Sequence, residues 1–377
     1  MTSDDDSRAG RMRGAMGRML PWTAKQPFAP PQKALILQPC CLGRVMMTTP
    51  LLAALSEAFP EARFDWAISD WALQAISSNR RVTRTIRSGP GDLANNTREE
   101  TRDFLEAVQR EGYDTCFIAS RSPLAARLAR QAGIPQRVGL DTGERLGYTV
   151  TARPPAGERR TARRNLALAA AAGVEDAILN AAEMEFAPTD SDRAAVARWL
   201  VEEFDWLGDA PLVVLHPGGG DNPERRDLDI RWPAYRFARL ANHLRRVHGA
   251  RIILVGLAEE RPLAGDVAGM MPFPAANRAG QMGLGQLAAL CELAGLYVGN
   301  DNGATHIAAA TGCPTLAIYG PTDPAANAPY MVNGRVRALW RPCEGAFNWA
   351  NGVSVEEAGA AADTLLTAYS LNDVALG

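Results

Sequence analysis

The residues most able to do chemistry lie between Leu296 and Pro324, where the chain reads LYVGNDNGATHIAAATGCPTLAIYGPTDP. Leu296 to Val298 is a short apolar run ending at Gly299. The turn residues Asn300, Asp301, Asn302 and Gly303 follow. Thr305 opens a small-residue helix that Gly312 stops, and a second apolar run covers Thr315 to Tyr319. Strand, polar loop and helix N-terminus place backbone N–H groups and a partial positive charge together. That combination suits an anion, most often a phosphate. An ordinary βαβ unit with a tight turn fits the same pattern. His306, in the first turn of this helix, is the best functional candidate among four histidines, as a donor to phosphate. No second ligand stands at i+4, so the spacing gives a metal role no support.

Other motifs point the same way with less force. His216-Pro217-Gly218-Gly219-Gly220 follows an apolar strand, and glycines let backbone amides approach a ligand closely. Arg225, Arg226 and Arg231 cluster in the next polar segment, where guanidinium forks could neutralise a diphosphate or pair with Asp227 and Asp229. Asp227-Leu228-Asp229 spells a DxD, but it sits in a polar loop and does not follow a strand, so a divalent metal is not expected there. Gly283-Leu-Gly285-Gln-Leu-Ala288 matches a dinucleotide fingerprint without the strand that should precede it, which argues against a nicotinamide cofactor. No Ser-His-Asp arrangement or nucleophile elbow stands out.

The elements that must position these residues alternate in type. KALILQ (33–38) is a strand, PCCLG its loop, and Arg44 to Phe59 a helix. Further strands are expected at 63–69, 82–86, 113–119 and 137–140, with helices at 70–78, 98–111, 123–132 and 159–172. The second half opens with Leu212 to Leu215 and repeats the alternation through 251–255 and 296–298. Such alternation predicts an α/β protein of two Rossmann-like domains facing across a cleft, with ligands beyond the carboxyl ends of the strands. Residues 1–32 read as a leader and Pro-rich linker, 33–190 as the first domain and 191–210 as an interdomain linker. Residues 211–350 form the second domain, and the helix in 351–377 is expected to pack back toward the first.

Composition narrows the class. A chain of 377 residues with 47% hydrophobic and 22% charged residues can fill two cores. A net charge of −2 gives no pull toward nucleic acid. Six scattered cysteines without a CxxC pair predict neither a disulfide framework nor a zinc site, and adjacent Cys40 and Cys41 are awkward to bridge. No apolar run approaches a membrane span and the acidic start is not a signal peptide, so a cytoplasmic protein is expected. Arg11 to Leu20 mixes Arg with Met and Leu. It reads as a mobile leader or packed helix, with an amphipathic segment on the cytoplasmic membrane face as the alternative.

Residues 33 to 330 resemble the heptosyltransferases, the family 9 glycosyltransferases of lipopolysaccharide core assembly. The resemblance is carried by LGRVMMTTPLLAALSEAFP, Arg137-Val-Gly-Leu, His216-Pro-Gly, Arg231-Trp-Pro and, most specifically, GNDNGATHIAAATGCPTLAIYGPTDP. It implies the GT-B fold and metal-independent transfer with inversion. It further implies no cofactor, a nucleotide-sugar donor (ADP-linked, with a heptose-like sugar) and a lipopolysaccharide or other glycan or glycolipid acceptor. By the same resemblance Asp301, Asn302, Gly303, Ala304 and His306 would hold the donor's sugar and diphosphate. Gly218 and Gly219 would line the phosphates, with Arg231 supplying charge. Met282 would lie beside the adenine, and Glu259, preferred over Glu260, would bind the ribose. One departure bears on catalysis. The family's first loop ends Leu-Gly-Asp, that Asp being the general base, and here the position is Arg44. A guanidinium cannot accept the proton. Asp70, Asp141 and Glu144 are the substitute carboxylates expected to face the cleft. A nucleotide-sugar-binding protein that has lost transferase activity is the alternative. Gln38 stands at the family's acceptor-side Lys and Ile230 at its donor-side Lys.

Overall fold

The computed structural model describes residues 28–143, 146–223 and 225–368. The expected leader helix at 11–20 and the candidate base Glu144 lie outside them. The first sheet comprises β1 (Lys33–Leu37), β2 (Arg63–Ile68), β3 (Arg84–Arg87), β4 (Thr115–Ile118), β5 (Gln136–Leu140) and β6 (Val150–Ala152) in the order β3-β2-β1-β4-β5-β6. All its pairings are parallel, with Leu35 opposite both Asp65 and Cys116. Central parallel strands are covered on both faces, which explains why ALIL in β1 is apolar without alternation and wholly buried.

The second half begins with β7 (Leu212–His216), followed by a short antiparallel hairpin of β8 (Asp221–Asn222) and β9 (Arg225–Arg226). Then come β10 (Arg251–Leu254), β11 (Ala276–Asn277), β12 (Leu296–Asn300), β13 (Thr315–Ile318) and β14 (Val336–Leu339). Their order, β11-β10-β7-β12-β13-β14, repeats that of the first sheet. Both sheets therefore change winding direction between their first and fourth strands, and both leave a crevice beyond the carboxyl ends there.

Helices cover the sheets: α1 (Leu42–Met46), α2 (Thr49–Ala58), α3 (Arg98–Glu111), α4 (Pro123–Gln131), α5 (Thr161–Ala171), α6 (Asp176–Ala181) and α7 (Asp190–Glu202), then α8 (Ala234–His248), α9 (Arg261–Gly269), α10 (Leu284–Leu293), α11 (Gly303–Ala310), α12 (Pro324–Asn327) and α13 (Val355–Ala368). Several expectations need correction. The helix anticipated over 44–59 is two helices, broken at Met47 and Thr48, because Pro50 fits only a first turn. The stretch 70–78 holds only a 3-10 turn at Leu73–Ala75. Residues 191–210 are not a linker. Thr189 and Asp192 form a capping box that starts α7, and Val196, Trp199 and Leu200 bury against α10 residues such as Leu287.

The C-terminal helix does not return to the first domain. Ala358, Ala362, Leu365 and Leu366 of α13 share a core cluster with Leu244 of α8, Val298 and Leu316. Asp363 of α13 accepts from His243 at 2.9 Å and His248 at 2.7 Å, so these two α8 histidines are half-buried partners and not surface residues. Among the described residues no helix is long and apolar enough to cross a membrane.

The apolar face, not the ion pairs, holds α13. Leu365→Ala should cost about 2–5 kcal/mol of unfolding free energy, while Asp363→Asn at neutral pH should cost under about 1 kcal/mol because the carboxylate is partly exposed. Burial alone would raise the Asp363 pKa, but hydrogen bonds from His248 and His243 bring it below the usual range. Its contribution is therefore present above the unfolded carboxyl pKa and lost as pH falls through the depressed value. Urea denaturation at several pH values measures both effects.

Candidate functional site

β7 delivers His216 to its carboxyl end, where the ring bridges two buried groups. Nδ1 lies 3.0 Å from the Tyr297 hydroxyl and Nε2 lies 3.0 Å from Oε2 of Glu260. Glu260 closes a 3-10 turn and is itself buried. It accepts from the backbone N–H of Gly219 at 2.5 Å and of Leu257 at 2.9 Å, and Arg231 Nη2 stands 3.5 Å away. Burial alone would raise the Glu260 pKa. The bond and charge of His216 and the two amides outweigh it and hold the carboxyl at about 2.

The glycine loop is shaped around this carboxylate. A Cβ on Gly218 would stand 2.1 Å from the carboxyl carbon of Glu260. Gly219 and Gly220 take φ of +106° and +81°, a region that side chains rarely enter. Arg231 donates through Nε to Gly219 O at 2.7 Å. The buried side chain of Asn300 ties the loop to β12, giving Nδ2 to Pro217 O and Gly218 O, both at 2.9 Å, and accepting from Trp232 N.

β12 runs two residues longer than expected, and α11 begins at Gly303, before Thr305. Asn302 is its N-cap, accepting from Thr305 N at 3.1 Å. The N-terminus of α11 faces the glycine loop on one side and the first domain on the other. A Cβ on Gly303 would lie 2.4 Å from Leu42 Cβ, and one on Gly43 would lie 3.1 Å from His306 Nε2. α1 and α11 thus meet across the cleft at two glycines. His306 is buried, its Nδ1 has no hydrogen-bond partner among the described residues, and burial pushes its pKa down to about 4, so the ring is neutral near pH 7.

On the first-domain side, Gln38 does not face the cleft. It is buried, donates to Cys40 O at 2.5 Å, and its own carbonyl accepts from Trp66 Nε1. Cys40 and Cys41, expected to be awkward to bridge, are joined as a vicinal disulfide. Arg44 lines the cleft half-buried. Burial, and then the neighbouring Arg121 guanidinium, lower its pKa against the opposing charge of Asp92.

Between these walls lies a cavity of about 550 Å³, within the roughly 300–1,000 Å³ of small-ligand sites. Asp301, Asn302, Gly303, Ala304, His306 and Gly219 line it with Arg44. So do Trp71, Arg121 and Asp221, which no motif marked, together with Leu42 of the first-loop motif and Glu260, the less preferred of the two ribose candidates. Gly218 and Arg231 act one layer behind, on Glu260 and on the Gly219 carbonyl. Glu259 is exposed and outside the cavity, whereas its neighbour Glu260 lines it. Met282 does not line the cavity and packs on the cluster that includes Leu287. Neither Asp70 nor Asp141 faces the cleft. Asp70 holds Arg87 through two bonds of 2.6 and 2.5 Å, and Asp141 holds Arg153 at 2.9 Å and accepts from Gly143 N. Asp227 accepts from Asp229 N as the cap of a 3-10 turn. Among the described residues no group of three or more His, Cys, Asp or Glu side chains is arranged to hold a metal ion.

Two facing Rossmann sheets, with a glycine loop and a helix N-terminus on one wall and an open loop on the other, define a glycosyltransferase of the GT-B class. The chain belongs to glycosyltransferase family 9 (heptosyltransferase), whose sequence model matches residues 101–349. It is 26% identical over 315 residues to lipopolysaccharide heptosyltransferase 2 of Escherichia coli K12, covering 81% of this chain and 88% of that protein. It is also 26% identical to lipooligosaccharide heptosyltransferase 2 of Haemophilus influenzae, covering 78% of this chain and 85% of that one. In fold it is similar to a family 9 glycosyltransferase of Veillonella parvula (TM-score 0.75, 22% identity, 89% of this chain and 97% of that one). The E. coli ADP-heptose lps heptosyltransferase II gives a TM-score of 0.69 at 22% identity, over 89% of this chain and 99% of that one.

Glu260 organises this wall, and removing it should be costly. Glu260→Ala should destabilise the protein by about 3–5 kcal/mol, because His216 and two amides lose a buried partner. The lowered Glu260 pKa supplies stability that is full above the unfolded carboxyl value and lost as pH falls toward about 2. His306, with its pKa lowered to about 4, makes stability rise with pH between there and the unfolded value of about 6.5. His306→Gln should flatten that slope in pH-dependent denaturation.

Proposed function

We propose that the chain moves a heptose-like sugar from a nucleotide donor, ADP-linked, to a lipopolysaccharide core or similar surface glycan. The transfer inverts the anomeric centre and uses neither metal nor cofactor. The observation that carries this reading is the meeting of Gly219 and the N-terminus of α11 on one cavity, with Arg231 one layer behind, bonded to the Gly219 carbonyl. A departing diphosphate gathers negative charge, and a helix N-terminus with a nearby guanidinium stabilises it in place. Asp301 and Asn302, at that terminus, are positioned for the donor's hydroxyls.

Acceptor binding belongs to the opposite wall. A second cavity of about 400 Å³ adjoins the cleft through Arg121 and is lined by Arg159, Arg164, Tyr148 and Ala326. Arg159 is bonded across the domains to Asp323 at 2.8 Å. The proposed function includes peripheral contact with the inner membrane.

Arg44 at the first-loop position favours a second reading, a protein that binds the nucleotide sugar without transferring it. Two measurements separate them. ADP at 100 times its Kd should raise unfolding free energy by about 2.7 kcal/mol, and Arg231→Ala should shrink that gain. With ADP-heptose and lipopolysaccharide from cells lacking core heptose, release of ADP should accompany glycan labelling. Binding without labelling would leave the binding-protein reading, and absence of both would remove the nucleotide-sugar assignment.

A further inference from the structure

An inverting transfer needs a group that takes the acceptor's proton, so the identity of that group is a question only if the chain is a transferase, as proposed. Arg44 cannot serve. Asp92, whose charge acts on Arg44, caps the turn at Leu93–Asn95 and lies outside the cavity. The remaining ionisable groups on the cleft walls are mostly committed. Glu260 is buried against His216 and two amides, and both ring nitrogens of His216 are engaged. His306 is buried where α1 meets α11. Asp227 caps its own turn, and Asp301 sits at the N-terminus of α11 beside the donor wall.

Asp221 differs from all of these. It opens β8 directly after the glycine loop and lines the cleft with its side chain 55% exposed. Its Oδ2 lies 3.4 Å from Arg226 Nε across the hairpin, a contact that orients the carboxylate without enclosing it. The same hairpin is where the second domain touches the first-domain loop. Asn222 Oδ1 is 3.6 Å from Cys41 Sγ, Pro223 O accepts from Asn95 Nδ2, and Pro223 abuts Gly91. Cys41 is three residues from Arg44, so the hairpin that Asp221 opens meets the first-domain loop that carries Arg44.

We infer that Asp221 is the general base of the transfer. Its carboxylate takes the proton of the acceptor hydroxyl as that oxygen bonds to the anomeric carbon. The bond from that carbon to the donor's diphosphate oxygen breaks, the nucleoside diphosphate leaves with the electron pair, and Asp221 later returns the proton to water. No oxidant or further reactant is required.

The test uses the full chain, ADP-heptose and heptose-deficient lipopolysaccharide. Asp221→Asn should lower kcat by about 100- to 10,000-fold while the Kd for ADP, read by calorimetry, changes less than about threefold. Sodium formate should restore part of the rate in Asp221→Ala, where a small carboxylate fits the vacated space, and little in Asp221→Asn. Asp227→Asn should keep most of the activity. Wild-type kcat in Asp221→Asn would overturn the assignment, as would an equal loss in Asp227→Asn with no formate rescue of Asp221→Ala. A wild-type chain that binds ADP and transfers nothing refutes the transferase reading itself, and the base with it.

Discussion

A buried carboxylate must be fully bonded or it costs several kcal/mol, and Glu260 meets that condition through groups that build the donor wall. Its oxygens take the amides of Gly219 and Leu257 and the ring of His216. His216 is fixed in turn by Tyr297, whose hydroxyl lies 3.5 Å from Thr305 Oγ1 in the first turn of α11. One chain of contacts therefore runs from the 3-10 turn after β10, through the end of β7, to the helix start after β12. Gly218 must be glycine because the carboxylate occupies the space its side chain would need. The loop is not loose: its glycines let it wrap an anion already present, and that leaves its other face for a ligand.

The second constraint is steric and joins the domains. Gly303 admits Leu42, and Gly43 admits His306, so α1 and α11 approach more closely than larger residues allow. The first-domain loop that carries Cys41 and Arg44 is thereby referenced to the helix that carries Asn302 and His306. Because His306 stays neutral, the contact adds no cation beneath the helix terminus, and the partial positive charge there comes from the dipole.

Much of this was legible in the sequence, because strand, turn residues and small-residue helix around Asp301–His306 obey simple local rules. The parallel alternation and both glycine-bearing loops were legible too. What escaped depended on contacts between distant segments. Choosing between Glu259 and Glu260 requires the phase of a three-residue turn, which no periodicity reveals. Asp70 and Asp141 look available in sequence, yet Arg87 and Arg153 from neighbouring strands or loops engage them. The helix at 190–202 left a signal, the Thr189–Asp192 capping pair, in a stretch otherwise read as linker. The packing of α13 on α8 left none, since an Ala-rich face fits many surfaces.

With Arg44 on the first-domain loop and Asp221 as the proposed base, charge and motion are divided between the domains in a particular way. A base on the first-domain loop would be correctly placed against the donor only when the two domains are in register. A carboxylate on the β8–β9 hairpin belongs to the same domain as the donor wall and follows directly from the glycine loop. In the proposed reaction its distance from the anomeric carbon is set within one domain, by the hairpin that follows the glycine loop, and only the acceptor oxygen must be brought in. The first-domain wall is left free to be cationic, with Arg44 and Arg121 side by side and Arg159 and Arg164 beyond.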